Sequence, residues 1–310
     1  MYQFQQEMED IASCFGPPRR YRVGNLPSDF FVHGSQPGPP SPHDVPLLIQ
    51  VPNLPQGYAG DTVFFRSSNN KDFQVNRHYV EAHASSMIPE NWTLSESTVI
   101  GLSETASVLN ILFQFINPGG PPTLRDLSFE SLARVTKAAE KYQVFSAMSI
   151  CSERMRALSH QYPKQIFVYG LHYNYPTVLD ATAPHVVTSE KLVNLFPLLP
   201  PSHHYRWLRY YSLWAKALDR VAPYSFVTET EESPVNTACW ELCWHIIAKR
   251  LSKGVRALND PAQTFSVPSS NDHPQCSRCR RACANWKVHA ESIIAQIPQY
   301  SSIASSGDGH

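Results

Sequence analysis

Hydrophobic and polar positions first fall into a regular pattern at Asp61. Over Thr62–Ser67 (TVFFRS) the residues Val63 and Phe65 share one face, and Phe73 and Val75 repeat the period of two beyond the polar run Ser68–Asp72. Alternation on both sides of an Asn-rich turn predicts a β-hairpin. His78–Met87 reads as a short helix and Thr98–Leu102 as a third strand. From Thr105 the period changes: Val108, Ile111, Leu112, Phe115 and Ile116 form the stripe of an amphipathic helix, which Asn117–Pro122 (NPGGPP) stops. Leu132, Val135, Ala139 and Tyr142 mark the next helix, and Met148, Cys151, Met155 and Leu158 the one after. Short strands followed by stacked helices predict an α+β domain over 61–160.

Beyond residue 160 the pattern is helical, which predicts an all-α C-terminal region. Pro163 and Pro176 sit where first-turn prolines open helices, and Thr188 or Ser189 can cap a segment holding Leu192, Leu195 and Phe196. Pro184 falls inside a helical pattern and is expected to break or kink it. Tyr205, Trp207, Tyr210, Tyr211 and Trp214 give Ser202–Leu218 an aromatic stripe of the kind that packs between helices. Val235–Leu251 and Ala284–Ile297 read as two further helices, joined through a Pro/Ser-rich connection around Asp260–Pro274. The resulting organisation is an arm at 1–60, the α+β domain at 61–160, helical regions at 161–222 and 223–300, and a disordered tail at 301–310. No internal repeat recurs at a fixed period, which disfavours a solenoid.

Composition changes this picture in one place. Ten of the 26 prolines lie between Pro17 and Pro55, so residues 1–60 are expected to be a mostly disordered arm that builds neither a helix nor a central strand. Its PxxP spacings are those of polyproline ligands. Lys plus Arg equals Asp plus Glu at 26 each, which removes any global pull toward nucleic acid or anionic membrane. No apolar run approaches the roughly 18–20 residues a membrane-spanning helix needs. The first ten residues, MYQFQQEMED, are acidic where a signal peptide is basic and then apolar, so an intracellular location, cytoplasmic or nuclear, is expected. The seven cysteines then read as reduced thiols or metal ligands.

The chain carries no glycine loop for phosphate, no GxSxG and no HExxH, and its one adjacent histidine pair, His203-His204, has no motif partner nearby. A non-enzymatic role is therefore expected, with no catalytic residue. The constellation with chemical content is Cys276-x-x-Cys279-x-x-x-Cys283, whose thiolates can grip zinc with His289 completing the set. Cys239 and Cys243, one helical turn apart, and His245 are further candidate ligands. If a helix opens at Cys283, His289 lies about 240° around it, so these two would not share a face. Buried hydrophobic thiols with no cofactor are the other reading. Residues 245–290 also hold eight basic residues against Asp260 and Asp272, a stretch that can touch phosphate or an acidic partner, or simply face solvent.

The run GDTVFFRSSNNKDFQVNRHYVEAHAS, the helix ending in FINP and the segment AAEKYQV (Ala138–Val144) resemble the BTB/POZ domain, of the kind abundant in basidiomycete fungi. The features that carry the likeness are the Asp61-led strand and Phe73, Val75, Arg77 and Tyr79 in the second strand. It departs from the family at Asn76, where many members carry His, and in SSMIPENW, which is clipped against the usual pattern. The resemblance implies an interaction fold that self-associates, often as homodimers, with Asp61 at or near the pairing surface. In some branches it implies docking onto a cullin as a ubiquitin-ligase adaptor through an apolar-x-Glu element, for which Leu94 and Glu96 stand in a comparable place. Other branches repress transcription through appended DNA-binding modules, of which none is visible here. The expected function is thus protein–protein interaction. The rival is a zinc-stabilised C-terminal domain that contacts nucleic acid or an acidic partner through 245–290.

Overall fold

The computed structural model describes residues 47–50, 62–89, 98–189, 195–222, 237–267 and 277–304, with backbone alone at 47–50, 98 and 237–239. The chain divides into two units, residues 1–157 and 158–310.

In the first unit, β1 (Leu47–Gln50), β2 (Thr62–Arg66), β3 (Asp72–Asn76) and β4 (Thr98–Gly101) form one sheet in the order β1-β4-β2-β3. The hairpin β2–β3 is antiparallel with Val63 opposite Val75 and Phe65 opposite Phe73, as the alternation predicts. Strand β4 runs parallel to β2 and antiparallel to β1. Flanked on both sides, it buries the adjacent residues Val99 and Ile100 together, the signature of an inner strand covered on both faces. Strand β1 lies within the segment expected to be a mostly disordered arm, at an edge of the sheet and not in a central position. Leu47–Gln50 lies between Pro46 and Pro52, contains no proline, and takes an edge position, where a proline-bounded segment can still pair along one side.

Helix α1 (Arg77–His83) follows β3 directly, because the Asn76 side chain caps it by accepting the His78 N–H at 2.9 Å. Helices α2 (Ala106–Ile116), α3 (Phe129–Lys141) and α4 (Phe145–Ala157) complete the unit. Besides the expected stripe, α2 buries Leu109 and Phe113, while Ile111 stays half-buried. Phe113 accounts for the wider face: its ring packs against Phe65 at 5.4 Å and Phe73 at 5.2 Å between centroids. Leu132, Val135, Ala139 and Tyr142 are buried as their spacing predicts.

The second unit holds α5 (Pro163–Tyr173), α6 (Pro176–Ser189), α7 (Pro201–Val221), α8 (Thr237–Leu251), the single turn α9 (Pro261–Thr264) and α10 (Ser277–Ile294). Prolines 163 and 176 open α5 and α6 as expected, and Asn174 closes α5 with a left-handed φ of 55°. Gly170 lets these two helices meet, since a Cβ there would stand 3.0 Å from Leu179 Cδ2. Helix α6 continues through Pro184 to Ser189, so the proline does not break it. Thr188 sits in the last turn of α6, where its hydroxyl donates to Pro184 O and to Asn259 Oδ1; most of the segment expected to be capped by Thr188 or Ser189 lies outside the described residues. One boundary is corrected. Helix α10 starts at Ser277, seven residues before Ala284, and so includes Cys279 and Cys283. One buried cluster links α5, α6, α7, α8 and α10, so the helical regions 161–222 and 223–300 share a core. Within the aromatic stripe, Trp207, Tyr210 and Trp214 face that core, whereas Tyr205 is exposed.

Candidate functional site

The segment AAEKYQV acts as a structural joint. Ala138, Ala139 and Val144 are buried, and Gln143 turns the chain with a φ of 54°. Lys141 Nζ donates to Glu104 Oε1 at 2.9 Å and to Ser103 Oγ at 2.7 Å, and the Tyr142 hydroxyl donates to the other Glu104 oxygen. Glu104 also accepts Ser68 N–H through its backbone carbonyl at 2.9 Å. One residue therefore ties the hairpin turn, through its backbone carbonyl, to the end of α3, through its carboxylate, at the β4–α2 connection. Immediately after this joint, Phe145 stands 71% exposed at the start of α4, the most exposed large hydrophobic side chain among the described residues. Asp61, the expected self-association residue, and Leu94 and Glu96, the expected cullin contact, lie outside the described residues.

Of the candidate zinc ligands, three cysteines and two histidines have described side chains. Cys243, Cys279 and Cys283 are buried at 0–1% exposure in the core of the second unit. Because α10 begins at Ser277, Cys279 and Cys283 lie one turn apart on the stripe that continues through Trp286, Ala290 and Ile293. His289 and His245 are exposed. Cys283 and His289 thus occupy different faces of one regular helix. Cys276 and the side chain of Cys239 lie outside the described residues. Among the described residues no group of three or more His, Cys, Asp or Glu is arranged to hold a metal ion. In the first unit, burial pushes the Cys151 thiol up to about 11, which keeps it protonated and unreactive near neutral pH.

Part of the basic stretch is turned inward. Arg250 Nη1 donates to the carbonyls of Gln263, Thr264 and Ser266 at 3.0, 3.0 and 2.7 Å, clamping the end of α9. Arg256 donates to Ser189 O at 3.0 Å at the end of α6. These guanidinium groups satisfy carbonyls that helix ends leave open, a structural task. No helix of the described residues is long and apolar enough to cross a membrane.

The sequence reading missed a polar and aromatic nest at the C-terminal end. A 3₁₀ turn at Tyr300–Ser302 carries Tyr300 into the helical core, where its ring lies 5.2 Å from Phe167, 5.9 Å from Trp207 and 5.5 Å from Tyr210. His203 Nδ1 and the Tyr300 hydroxyl approach to 3.3 Å, and the Arg206 guanidinium sits 5.9 Å over the same ring. Burial, then Arg206 and His204, pushes His203 down to about 4. Burial likewise holds the Tyr210 and Tyr300 hydroxyls above the ordinary phenol range. On α6, Asp180 Oδ1 accepts the Ser301 N–H and Oδ2 accepts the Ser301 hydroxyl, each at 2.7 Å. Ile303 is buried as well. Residues 301–303, expected to belong to the disordered tail, are thus held in this turn against the helical unit. The signal was present in the apolar pair Tyr300 and Ile303, three residues apart after Pro298.

Comparison with protein-family models, curated proteins and solved structures found no match for this chain.

Proposed function

We propose that this protein is a non-enzymatic protein–protein interaction protein that self-associates as a homodimer through its first unit, a BTB/POZ-like domain. The observation that carries the reading is the order of elements behind the resembling residues: the hairpin β2–β3, helix α1, strand β4 parallel to β2, then α2, α3 and α4. Support also comes from AAEKYQV, whose residues form the joint on Glu104, and from the exposed Phe145 beside it. A cullin scaffold is the partner class to test second, through Leu94 and Glu96. Sedimentation of the full chain over a range of concentrations tests the reading. A dimer that Asp61→Ala weakens is expected; a monomer at every concentration would overturn it.

The nucleic-acid rival predicts salt-sensitive binding of generic DNA or RNA by the full chain. The internal bonds of Arg250 and Arg256 favour the interaction reading instead.

A further inference from the structure

Helix α10 buries Cys279, Cys283, Trp286, Ala290 and Ile293 in the core of the second unit. About 180° round the same helix runs a second row, Ser277, Arg281, Ala284, Val288, Glu291 and Ala295, every member of it exposed. Ala295 follows the last helical residue, and its N–H still donates to Glu291 O at 2.9 Å. The row advances in alternating steps of four and three residues, the spacing that keeps a seam facing a partner helix. Val288, at its centre, is 63% exposed, an apolar side chain on the solvent face of a helix. Charge is divided along the row, with Arg281 before the apolar pair Ala284 and Val288 and Glu291 after it.

This order is complementary to itself when reversed. Laid antiparallel on a second copy, about a twofold axis midway between Ala284 and Val288, the row sets each Arg281 against a Glu291 and each Val288 against an Ala284. Ser277 then faces Ala295, and the small Ala284 leaves room for the opposing Val288. A parallel, in-register pairing would instead set Arg281 on Arg281 and Glu291 on Glu291, so the charges select the antiparallel arrangement. Within one chain Arg281 and Glu291 are separated by about 15 Å of helix and cannot pair with each other. Lys287, to one side of the row, keeps Glu291 of its own helix at 3.6 Å, so it is accompanied by a carboxylate where the axis brings its copy near. Arg278 and Arg280 lie off the row and have interactions of their own.

We propose that the outer row of α10 is a homotypic docking surface, through which the second units of two copies pair in an antiparallel, twofold helix contact. The occupant is a second copy of this chain, because the row carries its own complement in both charge and side-chain size. One helix pair with two apolar layers is a small contact, so the pairing is weak and concentration-dependent. It goes beyond the self-association proposed for the first unit and does not rest on it.

Two full-length variants test the proposal, Arg281→Glu and Glu291→Arg, each studied alone and as an equimolar mixture by sedimentation velocity. Alone, each variant sets like charges against each other at both ends of the contact; mixed, they meet as opposite charges at both ends. Association in the mixture is expected to be roughly tenfold tighter than in either variant alone. The chain carrying both substitutions is complementary to itself again and is expected to match the unaltered chain. Pairing through the first unit does not involve these positions, so it sets a mass common to all samples and cannot produce the difference. Adding Val288→Asp to both single variants is expected to abolish the gain on mixing. Equal sedimentation of the two variants and their mixture, whatever the mass, would overturn the proposal. So would a gain on mixing that Val288→Asp leaves intact.

Discussion

The side-chain oxygen of Asn69 accepts the backbone N–H of Ala106 at 2.8 Å, so the turn of the β2–β3 hairpin caps a helix 37 residues further along the chain. Thr105, the N-cap of α2 by position, makes no side-chain cap bond of its own. Asn69→Ala is expected to destabilise the chain by about 1 kcal/mol, the usual cost of a lost N-cap, while Asn69→Asp retains most of the stability. Urea unfolding of the two variants checks this. Equal midpoints for Asn69→Ala and the unaltered chain would show that the contact contributes nothing.

Glu104 carries more. Its side chain and that of Lys141 are 13% and 9% exposed, and Tyr142 donates to the same carboxylate. Glu104→Ala leaves an ammonium and a phenol without their acceptor, and a loss of about 3 kcal/mol or more is expected. Adding Lys141→Met should recover part of that loss, since the stranded charge goes with it. Thermal unfolding of the single and double variants gives the coupling; strict additivity would mean that the two side chains do not interact.

His203 predicts acid sensitivity of the second unit. Its folded value, about 4, lies below the usual 6.5, so the unfolded chain binds more protons between these two values. Stability from this group is full above about pH 6.5 and is lost as the pH falls toward 4. The expected contribution is about 1–2 kcal/mol once partial solvent screening is allowed for. Melting temperatures of the unaltered chain and His203→Gln should converge as the pH is lowered through this window. Parallel curves would assign the acid response elsewhere.

Metal removal is expected to leave the protein unchanged. The buried Cys279 and the exposed His289 are not placed to share an ion, and buried thiols contribute as small apolar side chains. Treatment with a chelator should therefore alter neither helical circular dichroism nor the melting temperature. A fall in melting temperature that stoichiometric zinc reverses would promote the metal-bound reading, because a structural zinc site's binding energy is folding energy.

Local patterning was enough to locate most elements of this protein. The period of two around Ser68–Asp72 specifies the hairpin, since alternate side chains must face one side of a strand. The spacing of Leu132, Val135, Ala139 and Tyr142 specifies both a helix and its buried face. Boundaries were less legible where the residues that decide them are polar: Ser277–Arg281 continues α10 because Cys279 and Cys283 have a core to enter, which composition does not reveal. Pro184 does not break its helix for a similar reason: Ala183, Val186 and Val187 on either side of it are packed into the core. The pairs that join distant segments were decided by tertiary structure alone. Asn69 with Ala106, Glu104 with Lys141 and Asp180 with Ser301 are separated by 37, 37 and 121 positions. No periodicity connects such residues; only the folded backbone brings a carboxylate or amide oxygen to a donor that would otherwise be buried without a partner.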